Sequence, residues 1–175
     1  MRPLLMTVAL LLACAGPRPA TRAESGLVLT SPAFTEGGAI PPRHSAYADN
    51  LSPELNWTSP PAGTRSFALI CRDPDAPSGT FYHWVIFNLP DTLRSLPEAL
   101  PRDATPSGGV QGINSFGRPG YDGPRPPFGT HRYYFDLYCL DTVLVLDRTA
   151  TADKVLAALK DRVLGRAGLM GRYSK

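Results

Sequence analysis

The sequence predicts a single, mainly β domain with one helix near its C-terminal end. Its 175 residues include 19 prolines and 16 glycines, which interrupt the chain too often for long helices and favour short strands joined by structured loops. Several segments rich in β-branched, aromatic or aliphatic residues are bounded by Pro, Gly or Asp, as strands usually are. These candidate strands are Leu27–Leu29, Ser66–Cys71, His83–Asn88 and Arg132–Leu140.

Residues 1–23 are expected to be a secretory signal peptide and not part of the fold. The uncharged apolar run Leu4–Ala13 is shorter than the ~20 residues that a membrane-spanning helix needs, and prolines and arginines follow it at once. Two cleavage sites stay open. Leu11–Cys14 resembles a bacterial lipobox, in which the lipid would be attached to Cys14, whereas Thr21–Ala23 is a weak small-residue site. Either site implies export, to the periplasm or to a lipid anchor in the bacterial envelope, with membrane contact only through that anchor.

The positive net charge of the chain comes mostly from this leader. The full chain has 18 basic and 15 acidic residues, and the leader holds three arginines and no acid. A product that begins at Glu24 therefore has 15 of each and no net charge, whereas cleavage before Cys14 removes only Arg2 and leaves a charge of +2. We expect no nucleic-acid partner for either product. Residues 24–175 suffice for one compact domain with its own core.

The segment Arg132–Leu140 is nearly continuous in apolar character, which indicates a strand buried on both faces near the centre of a sheet. Cys71 and Cys139 lie in two such apolar strands and would meet an oxidising compartment after export. A disulfide between them is allowed. Two buried free thiols are the favoured interpretation, because spacing in the sequence does not establish the short Cα separation that a disulfide needs.

The segment Lys154–Arg166 is predicted to be the one helix. Asp153 lies in its first turn, where a negative charge is favourable. Gly165 and Gly168 weaken its end, so the tail over residues 167–174 is expected to turn and pack as a separate piece. The apolar positions that recur at helical spacing are Val155, Leu156, Leu159 and Val163.

Two carboxylates and two imidazoles stand where strands end or begin. Asp73 and Asp75 follow a strand directly, in a loop that prolines make rigid. His83 and His131 each begin a later strand, and strand ends of this kind can meet at one end of a sheet. The simpler interpretation is an Asx turn together with two packed strand histidines, and from spacing alone that interpretation is the more frequent one.

Two glycine-containing turns, Gly120–Gly123 and Phe128–Thr130, could bring backbone amides close to a small anion or phosphate group near His131. Plain turn geometry explains these glycines equally well. The proline-rich stretch at 117–127 is expected to be an ordered loop, because the aromatic residues Phe116, Tyr121 and Phe128 lie in or beside it.

Neither a metal site nor a catalytic centre is expected. Two aspartates and two histidines could ligate zinc or iron, but His83 and His131 lie 48 positions apart and neither has a local H-x-H or H-x-x-x-H partner. Ser78 and Ser115 lie in loops without a nucleophile elbow, and neither cysteine has a catalytic neighbourhood. We therefore expect a protein that is not an enzyme and that needs no cofactor.

Taken together, these segments are similar to the phosphatidylethanolamine-binding protein (PEBP) family, and most closely to its bacterial Raf kinase inhibitor-like branch. The similarity extends over almost all of the chain after the leader, and so many segments in one order make a chance match improbable. The segments are Ile40–Pro41, Asn50–Trp57, Pro61–Thr64, Asp73–Pro77, His83–Pro90, Gly112–Gly117, Gly120–Pro124, Pro126–Pro127, His131–Tyr133 and Leu137–Tyr138.

The resemblance implies a PEBP-like fold around a central antiparallel β-sheet with a C-terminal helix, and a small cavity that binds anions such as phosphoryl head groups. We interpret the imidazoles and loop amides as contacts to the anion, and Asp73 as the group that orients a histidine or shares a proton with the ligand. Carried over by position, the ligand-binding residues are Asp73, Asp75, Pro77, His83, Gly123, Pro126, Pro127, His131 and Tyr133.

Two departures from the family pattern affect this transfer. Arg125 stands between the prolines where bacterial relatives commonly have Cys, and Ala46–Ala48 replaces a stretch that usually resembles Cys-Asp-Gly. Arg125 could reinforce anion binding or could point to solvent, and both alternatives stay open.

Three functions follow from the resemblance and the residues. The first is non-catalytic binding of small anionic or phosphorylated ligands, which include phospholipid head groups. The second is inhibition of a protease or kinase through the protein surface, and its kinase form is the weaker one because export removes the protein from cytoplasmic kinases. The third is an enzyme that uses the Asp and His pocket, but it has no identified nucleophile.

Overall fold

The computed structural model describes residues 26–103, 105 and 108–175 as two antiparallel β-sheets and one short helix. The predicted signal peptide and Cys14 lie outside the described residues. The prediction of a mainly β fold with a C-terminal helix is confirmed. The strands are β1 (Leu29–Thr30), β2 (Leu55–Trp57), β3 (Ser66–Asp73), β4 (Phe81–Pro90), β5 (Ser95–Leu96), β6 (Val110–Gln111), β7 (Thr130–Leu140) and β8 (Val163–Ser174); helix α1 spans Ala152–Ala158 and a 3-10 turn spans Pro42–His44.

The large sheet has five strands in the order β6-β4-β3-β7-β8, and the small sheet has three in the order β1-β2-β5. Successive side chains of a strand point to opposite faces, so β3 divides its apolar residues between two cores. Phe67, Leu69 and Cys71 pack in the core shared with the small sheet, whereas Ala68 and Ile70 pack on the face that α1 covers. Burial of both faces explains why the central strands are almost continuously apolar.

Strand β7 confirms the prediction of an internal strand over Arg132–Leu140, because it lies between β3 and β8. The structure contains the other predicted strands as well, with longer or shifted bounds. Strand β1 covers Leu29 and Thr30 rather than Leu27–Leu29, because it pairs with only two residues of β2.

The prediction of a helix over Lys154–Arg166 is wrong beyond Ala158. The chain reverses at Asp161, whose φ is 63°, and Val163–Ser174 then forms β8, which pairs with β7 from Leu140 to Thr130. The predicted separate C-terminal piece is therefore also wrong. Glycines in this segment disfavour a helix, and the open edge of β7 supplies a full ladder of hydrogen bonds that a helix end would leave unused.

The register of β3 and β7 separates the two cysteines. Cys71 pairs with Phe135 and Cys139 pairs with Phe67, so the cysteines stand four positions apart along the ladder. At the usual rise per residue this is roughly 13 Å, which exceeds the Cα separation of a disulfide. The interpretation as two buried free thiols is confirmed.

Three strand ends meet at one end of the large sheet. Asp73 closes β3 opposite Phe81, the first residue of β4, and β7 begins at Thr130 beside them. Antiparallel pairing thus brings together segments that are far apart in the sequence.

Candidate functional site

A cavity of about 290 Å³ opens at this end of the large sheet. The structure places five of the predicted residues around it, namely Asp73, Pro77, His83, Pro127 and His131. The remaining lining residues are Ala76, Ser78, Phe81, Phe116 and Arg125.

The Asp73 carboxylate has two roles, and the Asx turn that the sequence left open is one of them. Its Oδ1 accepts a hydrogen bond from the backbone N–H of Asp75 at 2.8 Å, which shapes the loop after β3. Its Oδ2 accepts a hydrogen bond from Nδ1 of His131 at 2.7 Å. Both side chains are buried. The turn and the site are therefore one arrangement rather than alternatives.

His83 is oriented in the same way, although by a backbone group. Its Nδ1 lies 2.7 Å from the carbonyl oxygen of Asp122, which can only accept a hydrogen bond. Nδ1 of each cavity histidine is thus engaged, and Nε2 is the ring nitrogen that remains for a ligand.

Burial sets the protonation of the groups behind the cavity. Desolvation lowers the pKa of His83, and the hydrogen bond to Asp122 and the charge of Asp73 only partly oppose this, so the ring is neutral at pH 7. Tyr133 packs edge-on against His83, with ring centroids 5.2 Å apart. Burial first, and the Asp73 carboxylate second, raise the pKa of Tyr133 far above its usual range. Within the described part of the chain, no group meets hydrogen-bond geometry with its buried hydroxyl.

Asp75, a predicted ligand-binding residue, is not part of the cavity lining. Its carboxylate accepts hydrogen bonds from the backbone N–H and Nε of Arg132, both at 2.9 Å, and from a terminal guanidinium nitrogen at 2.7 Å. These bonds lower the pKa of Asp75 to about 2. Asp75 therefore ties the loop after β3 to the start of β7.

Gly123, Pro126 and Tyr133 also lie behind the lining rather than on it. A Cβ on Gly123 would collide with the backbone carbonyl of His44, so only glycine fits at this close approach of two loops. The carbonyl of Pro126 accepts a hydrogen bond of 2.7 Å from the hydroxyl of Tyr47. These contacts hold the proline-rich loop in place.

Asp122 is the functional neighbour that the sequence did not reveal. Its side chain is fully buried and its carboxylate is shared by two arginines and two asparagines. Burial alone would raise its pKa, but the hydrogen bonds from Arg118 and Arg102 hold the pKa well below its usual range. Only its position between two glycines was visible, which carries no such signal. The donors to this carboxylate are Asn50, Arg102, Asn114 and Arg118.

The aromatic wall of the cavity was seen only in part from the sequence. Phe116 was identified as a residue that orders the loop, whereas Phe81 was not noted. Their ring centroids lie 4.8 Å apart, and both rings approach that of His83, at 5.1 Å for Phe81 and 5.9 Å for Phe116. The wall keeps water away from one side of the imidazole.

Two further observations concern the residues that the structure describes. No cluster of three or more His, Cys, Asp or Glu side chains among them could hold a metal ion. No helix among them is long and apolar enough to cross a bilayer.

Comparison with known proteins identifies similar chains over most of this one. The profile of the family described as phosphatidylethanolamine-binding protein matches residues 30–174. A UPF0098 protein of Methanothermobacter thermautotrophicus is 49% identical over 149 residues, which is 84% of this chain and 98% of that protein. "Putative lipoprotein LppC" of Mycobacterium tuberculosis is 39% identical over 157 residues, or 89% of this chain and 75% of that protein.

The fold is similar to that of a solved structure. The crystal structure of YbcL of Escherichia coli, described as a new member of the mammalian PEBP family, superposes with a TM-score of 0.81 at 33% identity. The match covers 85% of this chain and 98% of the YbcL chain.

Proposed function

The chain belongs to the phosphatidylethanolamine-binding protein family, and on that premise we propose that it is a non-catalytic binding protein for small anionic or phosphorylated ligands, of the phosphatidylethanolamine head-group type. One observation carries the proposal. His83 and His131 border a single cavity, and each uses Nδ1 on a fixed internal acceptor, which leaves Nε2 for a ligand. Histidines that only packed in a core would not both be aimed at one open space.

Arg125 supports an anionic ligand. It lines the cavity, and no carboxylate in the described part of the chain forms an ion pair with it. A guanidinium at this place presents several donors to phosphate oxygens. The residue that departs from the family pattern thus adds a positive charge to the cavity wall.

The size of the cavity limits the ligand. A volume of about 290 Å³ lies at the lower end of the range for small-molecule sites. A phosphorylated head group fits such a volume, whereas the acyl chains of a whole phospholipid would have to stay outside it.

The lining also supports binding without covalent chemistry. Ser78 is the one hydroxyl side chain among the described lining residues, and it makes no hydrogen bond to His83 or His131. An activated nucleophile is hydrogen-bonded to a base, and none of the described residues forms such a bond with Ser78.

Calorimetric titration with phosphoethanolamine and with inorganic phosphate tests the proposal. We expect His83→Ala and His131→Ala each to weaken binding at least tenfold, because each removes a buried polar partner of the anion. Val145→Ser is the control, since Val145 is fully exposed and is not among the lining residues. If both histidine variants bind as the parent does, the cavity is not the binding site.

We further propose that the protein works outside the cytoplasm. The predicted leader supports export, and the name of the Mycobacterium tuberculosis relative supports the lipobox interpretation of Cys14. A lipid attached to Cys14 would hold the cavity at the surface of the bacterial envelope.

A further inference from the structure

We propose that the cavity selects anions that keep an acidic hydroxyl group, such as hydrogen phosphate or a protonated phosphomonoester, over anions that have none, such as sulfate or a phosphodiester. The inference rests on the proposed function and narrows its ligand class for the same cavity to free phosphate and phosphomonoesters such as phosphoethanolamine, and away from the phosphodiester of an intact phospholipid.

The argument begins with the tautomer of His83. The carbonyl oxygen of Asp122 has no proton to give, so the hydrogen bond of 2.7 Å requires that Nδ1 of His83 carries one. A neutral imidazole has a single ring proton, and Nε2 of His83 is therefore a bare acceptor. His131 follows the same pattern, because its Nδ1 donates to Oδ2 of Asp73 at 2.7 Å.

The surroundings of His83 keep its ring neutral. Phe81 and Phe116 pack against it from one side and Tyr133 from another, which removes water from the ring. Burial is the largest influence and lowers its pKa, although Asp73 and Asp122 oppose it. The other ionisable groups that line the same cavity are His131 and Arg125.

A bare acceptor discriminates between anions of the same size and charge. An oxygen of phosphate that carries a proton can donate it to Nε2 of His83, whereas an oxygen of sulfate would meet the nitrogen lone pair without a proton between them. Arg125 makes no such distinction, because it donates to the anionic oxygens of both. Selectivity therefore resides at the imidazole of His83, and general anion affinity resides at Arg125.

Calorimetric titration of the exported protein with phosphate and with sulfate at about pH 7.5 tests the proposed selectivity. We expect phosphate to bind roughly ten- to a hundredfold more tightly, the range expected when a buried acceptor is left without its donor. A second pair of probes distinguishes a free phosphomonoester from a lipid head group as the source of the phosphate. At about pH 6, where roughly half of the phosphoethanolamine keeps its phosphate hydroxyl, this monoester should bind, whereas glycerophosphoethanolamine, the diester that a lipid head group presents, should bind at least tenfold more weakly.

Two variants divide the roles of the residues. His83→Gln introduces an amide N–H that can donate to an unprotonated oxygen, so the preference for phosphate over sulfate should fall several-fold. Arg125→Gln is the matched comparison, since it should weaken the binding of both anions while the ratio of their affinities stays the same.

The pH dependence of sulfate binding gives a third test. In the parent protein, the affinity for sulfate should rise between about pH 7.5 and pH 5.5 with uptake of a proton, because sulfate then binds the protonated ring of His83.

The outcomes separate this inference from the proposed function. Equal affinity for phosphate and sulfate in the parent would overturn the selectivity and leave the cavity as a general anion site. Unchanged selectivity in a folded His83→Gln variant would overturn the role of His83. If that variant fails to fold, a sulfate affinity of the parent protein that does not change with pH would overturn it instead. Absence of binding to every probe would overturn both proposals.

Discussion

At the scale of single residues, the internal partners of the cavity side chains decide what those side chains can offer a ligand. The Asp73 carboxylate accepts hydrogen bonds from His131 and from the backbone of the turn. The backbone carbonyl of Asp122 accepts one from His83. The sequence identified Asp73 and both histidines but not Asp122, because the burial of an acid has no local pattern. Two of the donors to its carboxylate, Asn50 and Arg102, come from chain segments that only the fold brings close to it.

Asp75 provides a test of the loop that carries Asp73. Because Arg132 lowers the pKa of Asp75 from 3.8 to about 2, the ion pair stabilises the fold fully above pH 3.8, and this contribution is lost as the pH falls through about 2. Asp75→Asn should lower the free energy of unfolding at about pH 7 by about 1 kcal/mol or less, since the pair is partly exposed to solvent. Urea denaturation at several pH values measures the effect.

The difference between the parent and Asp75→Asn should shrink as the pH falls from 3.8 towards 2. Asp91→Asn is a suitable control, because Asp91 is exposed and forms no ion pair with the residues that the structure describes. A difference that stayed constant down to pH 2 would show that Arg132 does not act through the charge of Asp75.

At the scale of elements, strand pairing competes with local helical preference. The apolar spacing after Asp153 is helical, yet the helix ends at Ala158 and the chain returns as β8 along the whole of β7. The periodicity of a segment carries no information about the free edge of a distant strand. Pairing with that edge gives many backbone N–H and C=O groups hydrogen-bond partners at once. The ends of β3, β4 and β7 meet at the cavity for the same reason, since antiparallel register is a property of strand pairs.

The register of β3 and β7 makes a prediction about thiols. With Cys71 and Cys139 four positions apart along the ladder, the oxidised, exported protein should contain no disulfide between them. Burial raises the pKa of Cys139 to about 11 and that of Cys71 well above its usual value, so neither should react while the protein is folded. Thiol titration should find about none in the native state and both after denaturation. Absence of free thiol after denaturation without reductant would contradict the register.

At the scale of the whole molecule, two layers of sheet and one helix form a cavity at the end of the large sheet where three strands meet. The family membership extends over residues 30–174, so the fold, the cavity and the similarity coincide. Residues 1–23, the predicted leader, carry the excess positive charge, and residues 24–175 have 15 basic and 15 acidic residues. Affinity for an anion must therefore come from the local groups of the cavity and not from a general positive field.

Mass spectrometry of the exported protein tests the location. We expect a mature chain that begins either at Cys14 with added acyl mass or after Ala23 without it. Cys14→Ser should abolish the acyl mass in the first case and leave the mature chain unchanged in the second, because cleavage after Ala23 removes residue 14. Recovery of the chain with Met1 and no cleavage would contradict export by this leader.

The sequence by itself determined the fold class, the family resemblance, the internal position of β7 and the set of residues that includes Asp73, His83 and His131, because these depend on composition, alternation and ordered motifs. Tertiary structure alone decided that Asp75, Gly123, Pro126 and Tyr133 support the cavity from behind, that Asp122 orients His83, and that the C-terminal segment is a strand. Each of these depends on contacts between segments far apart in the chain. Such contacts are set by register and packing, which no local pattern of residues contains.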